Sequence, residues 1–247
     1  MTAGEVVVTV LTHPGKVRKV NEDRMTLGWT LCGNEMHAPA RVSLPLNEPL
    51  FLAVADGIGG HTAGEIASNH VCQRLADKGA DLKSPSEIPR LLEIINEELT
   101  EHANVAEEFA GMGSTIAGLW VSPGNGVHWF NAGDSRVYRL DGHKLIQITE
   151  DDSPPRPVGE DGEQEPTNFI TQALGGSQAD VYPHGGPESG RSWLLCSDGL
   201  SDLVRRGEME KIISEARDDQ SAVQALFEAA MAAGGKDNIA IMIARLV

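Results

Sequence analysis

Four short apolar segments follow one another between residues 114 and 148, and this run constrains the fold more than any other feature. The segments span about 114–121, 126–131, 135–140 and 143–148. Two of the gaps between them carry hairpin signals, Pro123-Gly124-Asn125-Gly126 and Asp141-Gly142. Because strands joined by short hairpins pair in opposite directions, the run predicts an antiparallel sheet.

Helical patterns precede and follow this run. The spacing of Thr62 to Glu65 and of Ser84 to Glu87 matches the capping box that begins a helix. The first helix is expected over about residues 63–78. Apolar residues at helical spacing predict the buried stripes of these two helices: Ile66, Ala67, Val71 and Leu75, then Leu91, Leu92, Ile95 and Leu99. Two more helices are expected near 208–217 and 220–233.

Further strands are expected outside the central run, at 5–11, 49–55, 192–197 and 238–245. Residues 150–167 are acidic and carry four prolines, which indicates a loop or a flap. Antiparallel sheets need apolar faces covered on one or both sides. The order of the elements therefore favours two sheets packed together with helices outside.

Composition limits the partners and the compartment. A chain of 247 residues with 40% hydrophobic residues can build a large core. The net charge of −16 argues against nucleic acid and anionic membranes as partners. The three separate cysteines, the lack of a signal-peptide pattern and the lack of a run of ~20 apolar residues favour a cytoplasmic protein without membrane insertion.

Aspartates lie at the ends of the apolar strands, usually beside glycine. They are Asp56, Asp134, Asp198, Asp202 and Asp237. A single case is a common turn, but several would converge if the strands align at one edge of the core. Clustered carboxylates repel one another unless a cation neutralises them, and hard cations such as Mg²⁺ and Mn²⁺ prefer oxygen ligands.

Six short motifs in a fixed order make the chain resemble a known family. They are Arg18-x-x-Asn21-Glu22-Asp23, Asp56-Gly57-x-Gly59-Gly60, Gly113-Ser114-Thr115, Gly133-Asp134-Ser135-Arg136, Ser197-Asp198-Gly199-Leu200-x-Asp202 and Gly234-x-x-Asp237-Asn238. The series resembles the metal-dependent serine/threonine protein phosphatases, type 2C or PPM, in their small bacterial form. The resemblance implies an α+β fold, a four-layer α-β-β-α sandwich of two antiparallel sheets flanked by helix pairs. It also implies one catalytic domain over residues 1–247, with a short flap at about 150–190.

The resemblance implies a centre with two Mn²⁺ or Mg²⁺ ions. Asp56 would bridge both ions and the carbonyl of Gly57 would complete one site. Asp198 and Asp237 would hold the other ion. Two ions so placed lower the pKa of a bridging water, which would attack the phosphorus directly.

The resemblance assigns further roles around the ions. Arg18 would bind the phosphate oxygens, and Glu22 and Asp23 would act through metal-bound waters. Asp134 and Asp202 match a third, weaker metal site that shares Asp198. The alternatives are a surface charge for Arg18, a solvated acidic pair for Glu22 and Asp23, and for Asp134 a turn cap that pairs with Arg136.

Two positions depart from the family pattern. Ile58 stands where many relatives have the histidine proposed as general acid, so the proton donor to the leaving group is not identified. Asp152 stands where the stretch Thr149-Glu150-Asp151-Asp152-Ser153 would have histidine in the family. The second departure puts substrate recognition by the flap in question, but not the metal centre.

The expected function is hydrolysis of phosphoserine and phosphothreonine in proteins by a monomer that opposes a serine/threonine kinase. Two alternatives share the fold: a phosphatase-like regulator that binds a phosphoprotein without turnover, and a partner-switch phosphatase with one dedicated substrate. The first should have lost a metal ligand, whereas Asp56, Asp198 and Asp237 are all present. Activity on a range of phosphopeptides would separate the second.

Overall fold

The computed structural model describes residues 4–59, 62–154, 169–176 and 180–247. Strands and helices of these residues are numbered in chain order. The strands are β1 Gly4–His13, β2 Asp23–Leu27, β3 Thr30–Cys32, β4 Ala40–Leu46, β5 Leu50–Ile58, β6 Gly113–Ser114, β7 Ile116–Ser122, β8 Gly126–Ala132, β9 Arg136–Asp141, β10 Lys144–Gln147, β11 Leu174–Gly175, β12 His184–Glu188, β13 Ser192–Cys196 and β14 Ile239–Leu246. The α-helices are α1 Thr62–Lys78, α2 Ile88–Ala103, α3 Asp198–Ser201, α4 Arg206–Glu215 and α5 Asp219–Ala232.

The strands form two sheets. The first sheet has the order β10-β9-β13-β14-β1-β4, and all its pairs are antiparallel. In the second sheet β5 lies between β2 and β7, and β8 and β12 continue it outward. The short strands β6 and β11 extend it beyond the end of β5. The predicted hairpin run is confirmed, but it divides between the two sheets after β8.

The side chains of β5 point alternately into two different cores, so this strand is buried on both faces. Leu52 and Val54 pack into the core between the two sheets. Phe51 and Ala53 pack on the opposite face, under α1 and α2. Successive side chains of a strand point to opposite faces, so an apolar strand without polar alternation must lie between two layers.

The helices lie on the outer faces of the sheets. Leu75 of α1 and Ile95 of α2 are buried in the core beneath the second sheet. Leu226 of α5 and Met209 of α4 are buried against the first sheet. The four-layer α+β architecture predicted from the sequence is therefore confirmed.

Some local predictions differ from the structure. Ile66 is 37% exposed, because it lies about 100° around the helix from Ala67, on the side away from the buried Ser68 and Cys72. The capping box at Ser84 begins a 3₁₀ turn, Pro85–Glu87, which leads into α2. The Thr62 side chain lies outside the described residues, so its capping role stays a prediction.

The sequence missed several strands. The strands β2 and β3 are too short to show a period. Strand β4 alternates apolar and polar residues but contains Pro45, which disfavours a strand except at a sheet edge. Strand β12 consists of His-Gly-Gly-Pro-Glu, a composition that disfavours strands. Yet β12 pairs with β8 over its whole length, because an edge strand needs partners on one side only. The predicted flap, residues 150–190, thus contributes β11 and β12 to the second sheet. Its segments 155–168 and 177–179 lie outside the described residues.

None of the helices among the described residues is both long and apolar enough to cross a membrane.

Candidate metal centre

Asp56 lies at the end of the central strand β5 and is held by its backbone. Its N–H donates to Thr115 Oγ1 at 3.0 Å, and the Thr115 N–H donates to the Asp56 carbonyl at 2.9 Å. On the other side, Asp56 is directly opposite Asp23 in the pairing of β2 with β5. Two carboxylates therefore meet across one pair of strands.

Asp198 and Asp237 reach the same place from the first sheet. Asp198 begins α3 directly after β13, and Asp237 precedes β14, the neighbour of β13. Because β13 and β14 are antiparallel, the end of one strand lies beside the start of the other. The centre therefore forms where the ends of both sheets meet.

A pocket of about 260 Å³ opens at this meeting point. Seven of the nine predicted site residues line it: Arg18, Glu22, Asp56, Gly57, Asp134, Asp198 and Asp237. Asp23 is fully buried behind the lining. The pocket also includes Ile58, which the sequence marked as a departure, and Ile170, which it did not single out.

Several carboxylate oxygens of this cluster are buried without a hydrogen-bond partner. They are Oδ1 of Asp23, Asp134 and Asp198. Buried polar atoms in folded proteins are normally satisfied, so these oxygens indicate a missing positive partner. The donors are all oxygen atoms, which fits a hard divalent cation.

The described carboxylates do not by themselves form a ready-made shell of three acidic, histidine or cysteine side chains. Hard cations commonly complete their coordination with backbone carbonyls and water. The carbonyl of Gly57, next to Asp56 in the pocket lining, is such a ligand. The residues present therefore fit a divalent metal pair.

Burial and mutual repulsion raise the pKa values of the carboxylates. Burial raises the pKa of Asp56 well above its ordinary value, and the charges of Asp23 and Asp198 raise it further. Burial and the charge of Asp134 do the same to the pKa of Asp198. So many carboxylates cannot all be ionised together unless cations neutralise them.

The pKa values of Asp23 and Asp134 rise less. Burial raises the pKa of Asp23 to about 7, although a hydrogen bond from Ser197 opposes the shift. Burial, followed by the charge of Asp202, raises the pKa of Asp134 to about 6. Asp202 does not line the pocket, but its charge acts on Asp134.

Arg18 lies in the pocket, half-exposed, and contacts a predicted ligand. Its Nη2 donates to Asp237 Oδ2 at 2.7 Å. The other oxygen of Asp237 accepts from the N–H of Asn238 at 2.9 Å. The guanidinium thus lies at the pocket where the predicted ligands meet, and not on a remote surface.

Packing against α1 requires glycine at position 57, and the sequence did not reveal this requirement. A Cβ at Gly57 would overlap the carbonyl group of Gly64 in the first turn of α1. A Cβ at Gly64 would lie 3.0 Å from the carboxyl carbon of Glu22. The two glycines let α1 pack directly against the end of β5.

Two polar residues beside the predicted ligands, Ser197 and Asn238, support the cluster. Ser197 Oγ donates to Asp23 Oδ2 at 2.7 Å and accepts from the N–H of Ala240 at 3.0 Å. Asn238 Oδ1 accepts from the N–H of Glu22 at 2.7 Å, and its Nδ2 donates to the carbonyl of Val20 at 2.9 Å. Their position beside predicted ligands was the available signal.

The alternative in which Asp134 pairs with Arg136 does not match the contacts. Arg136 donates to Asp151 Oδ2 at 2.6 Å and to the Tyr138 hydroxyl at 3.2 Å. Asp134 is buried, and its Oδ1 has no hydrogen-bond partner. The carboxylate of Asp134 thus resembles a ligand more than half of a salt bridge.

Comparison with known proteins decides the family. Residues 42–241 match protein phosphatase 2C. The serine/threonine phosphatase stp of Listeria monocytogenes is 32% identical over 214 residues, which is 80% of this chain and 84% of that protein. The chain belongs to the protein phosphatase 2C family.

Solved structures of this family agree over the whole fold. The catalytic domain of serine/threonine protein phosphatase PstP, in complex with two manganese ions, has a TM-score of 0.76 and 28% identity over 98% of this chain and 99% of that one. Among the relatives matched by sequence, the protein phosphatase PhpP of Streptococcus pneumoniae is 27% identical over 96% of both chains. The predicted family, fold and enzyme class, a metal-dependent serine/threonine phosphatase, are therefore confirmed.

Proposed function

We propose that this chain removes phosphate from phosphoserine and phosphothreonine in proteins, with two Mn²⁺ or Mg²⁺ ions held by Asp56, Asp198, Asp237 and the carbonyl of Gly57. The supporting observation is the convergence of carboxylates from both sheets on one pocket, with buried oxygens that have no partner. When bound, the ions supply a water molecule of lowered pKa as the nucleophile.

The chain's own residues bind and orient the phosphate. The Arg18 guanidinium at the pocket edge has the planar fork that binds two phosphate oxygens. Glu22 lines the same pocket and would orient water there. Asp23 is fully buried, lies opposite Asp56 in the strand pairing and accepts a hydrogen bond from Ser197; it would act through metal-bound water. Ile58 and Ile170 make part of the wall apolar, which limits access of bulk water to the phosphate.

A third, weaker metal site at Asp134 and Asp202, with Asp198 shared, is part of this proposal. The unpartnered buried oxygen of Asp134 and its electrostatic coupling to Asp202 support it. Substitution of Asp134 by alanine should reduce turnover and leave the two tighter ions bound.

The deciding experiment measures phosphate release from a phosphothreonine peptide with Mn²⁺ present. Wild type should be active, and both EDTA and Asp198→Asn should abolish turnover. Glu48→Gln, an exposed carboxylate, is the matched control and should leave the rate unchanged. Activity of wild type that survives EDTA, or of Asp198→Asn with Mn²⁺, would contradict the two-metal mechanism.

We further propose that the enzyme acts as a cytoplasmic monomer, that residues 1–247 form one catalytic domain, and that a serine/threonine kinase provides its substrates. The family membership supports the last point, because a phosphatase of this class needs phosphorylated proteins. A panel of unrelated phosphopeptides tests the breadth of activity. Turnover of one partner alone would favour the partner-switch alternative, and binding without turnover the regulator.

A further inference from the structure

Asp152 connects the flap to the turn that carries Asp134. Its carboxylate accepts hydrogen bonds from the N–H of Gly133 at 2.8 Å and from Gln172 Nε2 at 3.0 Å. On its other oxygen, His184 Nε2 lies at 3.0 Å. The Asp152 side chain is only 12% exposed. One buried carboxylate therefore joins β12, the segment before β11, and the turn after β8.

The contact with Gly133 is reciprocal. The N–H of Asp152 donates to the Gly133 carbonyl at 3.0 Å, while the N–H of Gly133 donates to the Asp152 carboxylate. Gly133 has a φ of +112°, and a Cβ there would lie 2.7 Å from Thr115. Glycine is free to adopt many backbone conformations, so a clamp on both its polar groups selects one of them.

The residue after this clamped glycine is Asp134. Its carboxylate is buried in the pocket, and Oδ1 has no hydrogen-bond partner. Hydrogen bonds to its side chain therefore do not fix Oδ1, and the backbone of the turn must place it. A change in Gly133 would move Asp134 away from the shared site with Asp198.

Asp152 also holds the flap side of the pocket. The N–H of Thr171 donates to the Asp152 carbonyl at 2.8 Å, and Gln172 donates to its carboxylate. Ile170, the residue before these two, lines the pocket. Asp152 therefore contacts the chain next to two residues of the pocket lining, Asp134 and Ile170, through separate bonds.

We propose that Asp152 is a positioning residue that holds Asp134 and Ile170 at the metal pocket through its bonds to Gly133 and to the flap. This inference rests on the proposed function and adds a residue to it. The contact with His184 Nε2 at 3.0 Å ties β12 to the same carboxylate. Outer residues that orient metal ligands commonly change metal affinity or activity by about 10–100-fold when removed.

Three substitutions separate geometry from charge. Asp152→Ala removes the side-chain bonds to Gly133, Gln172 and His184. Asp152→Asn keeps the length and one acceptor oxygen for Gly133 but loses the charge. Asp152→Glu keeps the charge but moves the carboxylate by one methylene. If Asp152 acts by position, Asn should keep activity better than Glu, and if it acts by charge the order should reverse.

The experiment measures kcat/KM on a phosphothreonine peptide, Mn²⁺ binding by calorimetry, and the melting temperature for each variant. Asp152→Ala should lower kcat/KM about tenfold and weaken the weakest Mn²⁺ binding event. Asp152→Ala combined with Asp134→Ala should lower kcat/KM by less than the product of the two single losses, because the part that acts through Asp134 is already lost in Asp134→Ala. The control Glu48→Gln alters an exposed carboxylate on another part of the surface and should match wild type.

A purely structural role predicts a lower melting temperature with losses that multiply in the double variant, and that result would overturn the proposal. A higher kcat/KM for Asp152→Glu than for Asp152→Asn would overturn the proposal as well. If Asp152→Ala does not melt cooperatively, the same cycle with Asp152→Glu replaces it, with the same outcomes. A wild-type protein that shows neither phosphatase activity nor Mn²⁺ binding would instead contradict the proposed function. Failure of the proposed function is therefore distinguishable from failure of the role proposed for Asp152.

Discussion

Gly57 and Gly64 pack backbone against backbone, so that neither position has room for a Cβ. Gly57 is the carbonyl donor predicted for the metal centre, and Gly64 lies in the first turn of α1. The contact sets the distance between the helix and the end of β5. It also places Glu22 beside Gly64, because a Cβ there would lie 3.0 Å from the Glu22 carboxyl carbon.

Gly64→Ala should therefore disturb both packing and metal binding. Overpacking of this kind costs about 1–3 kcal/mol of unfolding free energy. We expect a higher Mn²⁺ concentration for half-maximal activity, because Gly57 and Glu22 must shift together. Urea unfolding and a Mn²⁺ titration measure the two effects. The control is Gly207→Ala in α4, where a Cβ meets nothing within 4 Å. Equal behaviour of both variants would refute the close-packing argument.

Ser197→Ala should lower the free energy of unfolding by removing a hydrogen bond beneath the carboxylate cluster. It removes the donor to the buried carboxylate of Asp23 and leaves that oxygen unsatisfied, which costs about 1–3 kcal/mol. Because the Ser197 bond lowers the pKa of Asp23, its loss should raise that pKa further. Denaturant unfolding measures the stability. Ser214→Ala, which removes an exposed bond to the Lys211 carbonyl, is the control and should change little.

The sequence predicted the elements with a long apolar pattern, such as the continuous apolar run of β5 and the apolar residues at helical spacing in α2. It missed β12, because glycine and proline carry no strand signal and only the pairing with β8 makes the segment a strand. It misplaced Ile66 in the buried stripe because periodicity does not fix the centre of a buried helix face. Such features depend on neighbours that are distant in the sequence.

The convergence of the aspartates on one pocket was predictable, because aspartates follow apolar strands at Asp56 and Asp198. Their supports were not. The bond of Ser197 to Asp23 joins residues 174 positions apart, and no local pattern encodes it. The same is true of Gly57 and Gly64, whose contact needs the helix packed on the strand. The chemistry of the centre was visible in residue types, whereas its geometry came from tertiary contacts.

Arg18→Lys should weaken phosphate binding more than metal binding. Lysine keeps the charge but lacks the planar fork that binds two phosphate oxygens. The loss of a charged hydrogen bond is about 1.5–3 kcal/mol, which corresponds to roughly 10–100-fold in kcat/KM. Mn²⁺ affinity should not fall, since the Arg18 bond occupies an oxygen of Asp237.

Peptide kinetics and calorimetry measure these two quantities for Arg18→Lys. Arg41→Lys, an exposed arginine on β4, is the control and should behave as wild type. A variant with normal kcat/KM and reduced Mn²⁺ affinity would show that Arg18 supports the metal ligand and not the phosphate.

The pKa shifts of the cluster predict how the stability of the metal-free protein depends on pH. Folding raises the pKa of Asp23 to about 7 and that of Asp134 to about 6, chiefly through burial. The unfolded chain titrates near ~3.9, so between these values the folded state binds more protons. Stability is then present below the unfolded pKa and decreases as the pH rises through the folded values.

With EDTA present, the unfolding free energy should therefore fall from about pH 4 to about pH 7, and Mn²⁺ in place of EDTA should reverse the fall because it binds the ionised carboxylates. Urea unfolding at several pH values measures the slope. Asp23→Asn cannot ionise at this position and should make the slope shallower, whereas Glu48→Gln, on the exposed surface, should leave it unchanged. Because a carboxylate stabilised by folding gives the opposite sign, a metal-free protein that becomes more stable over this range would show that the cluster is neutralised by groups of the chain itself.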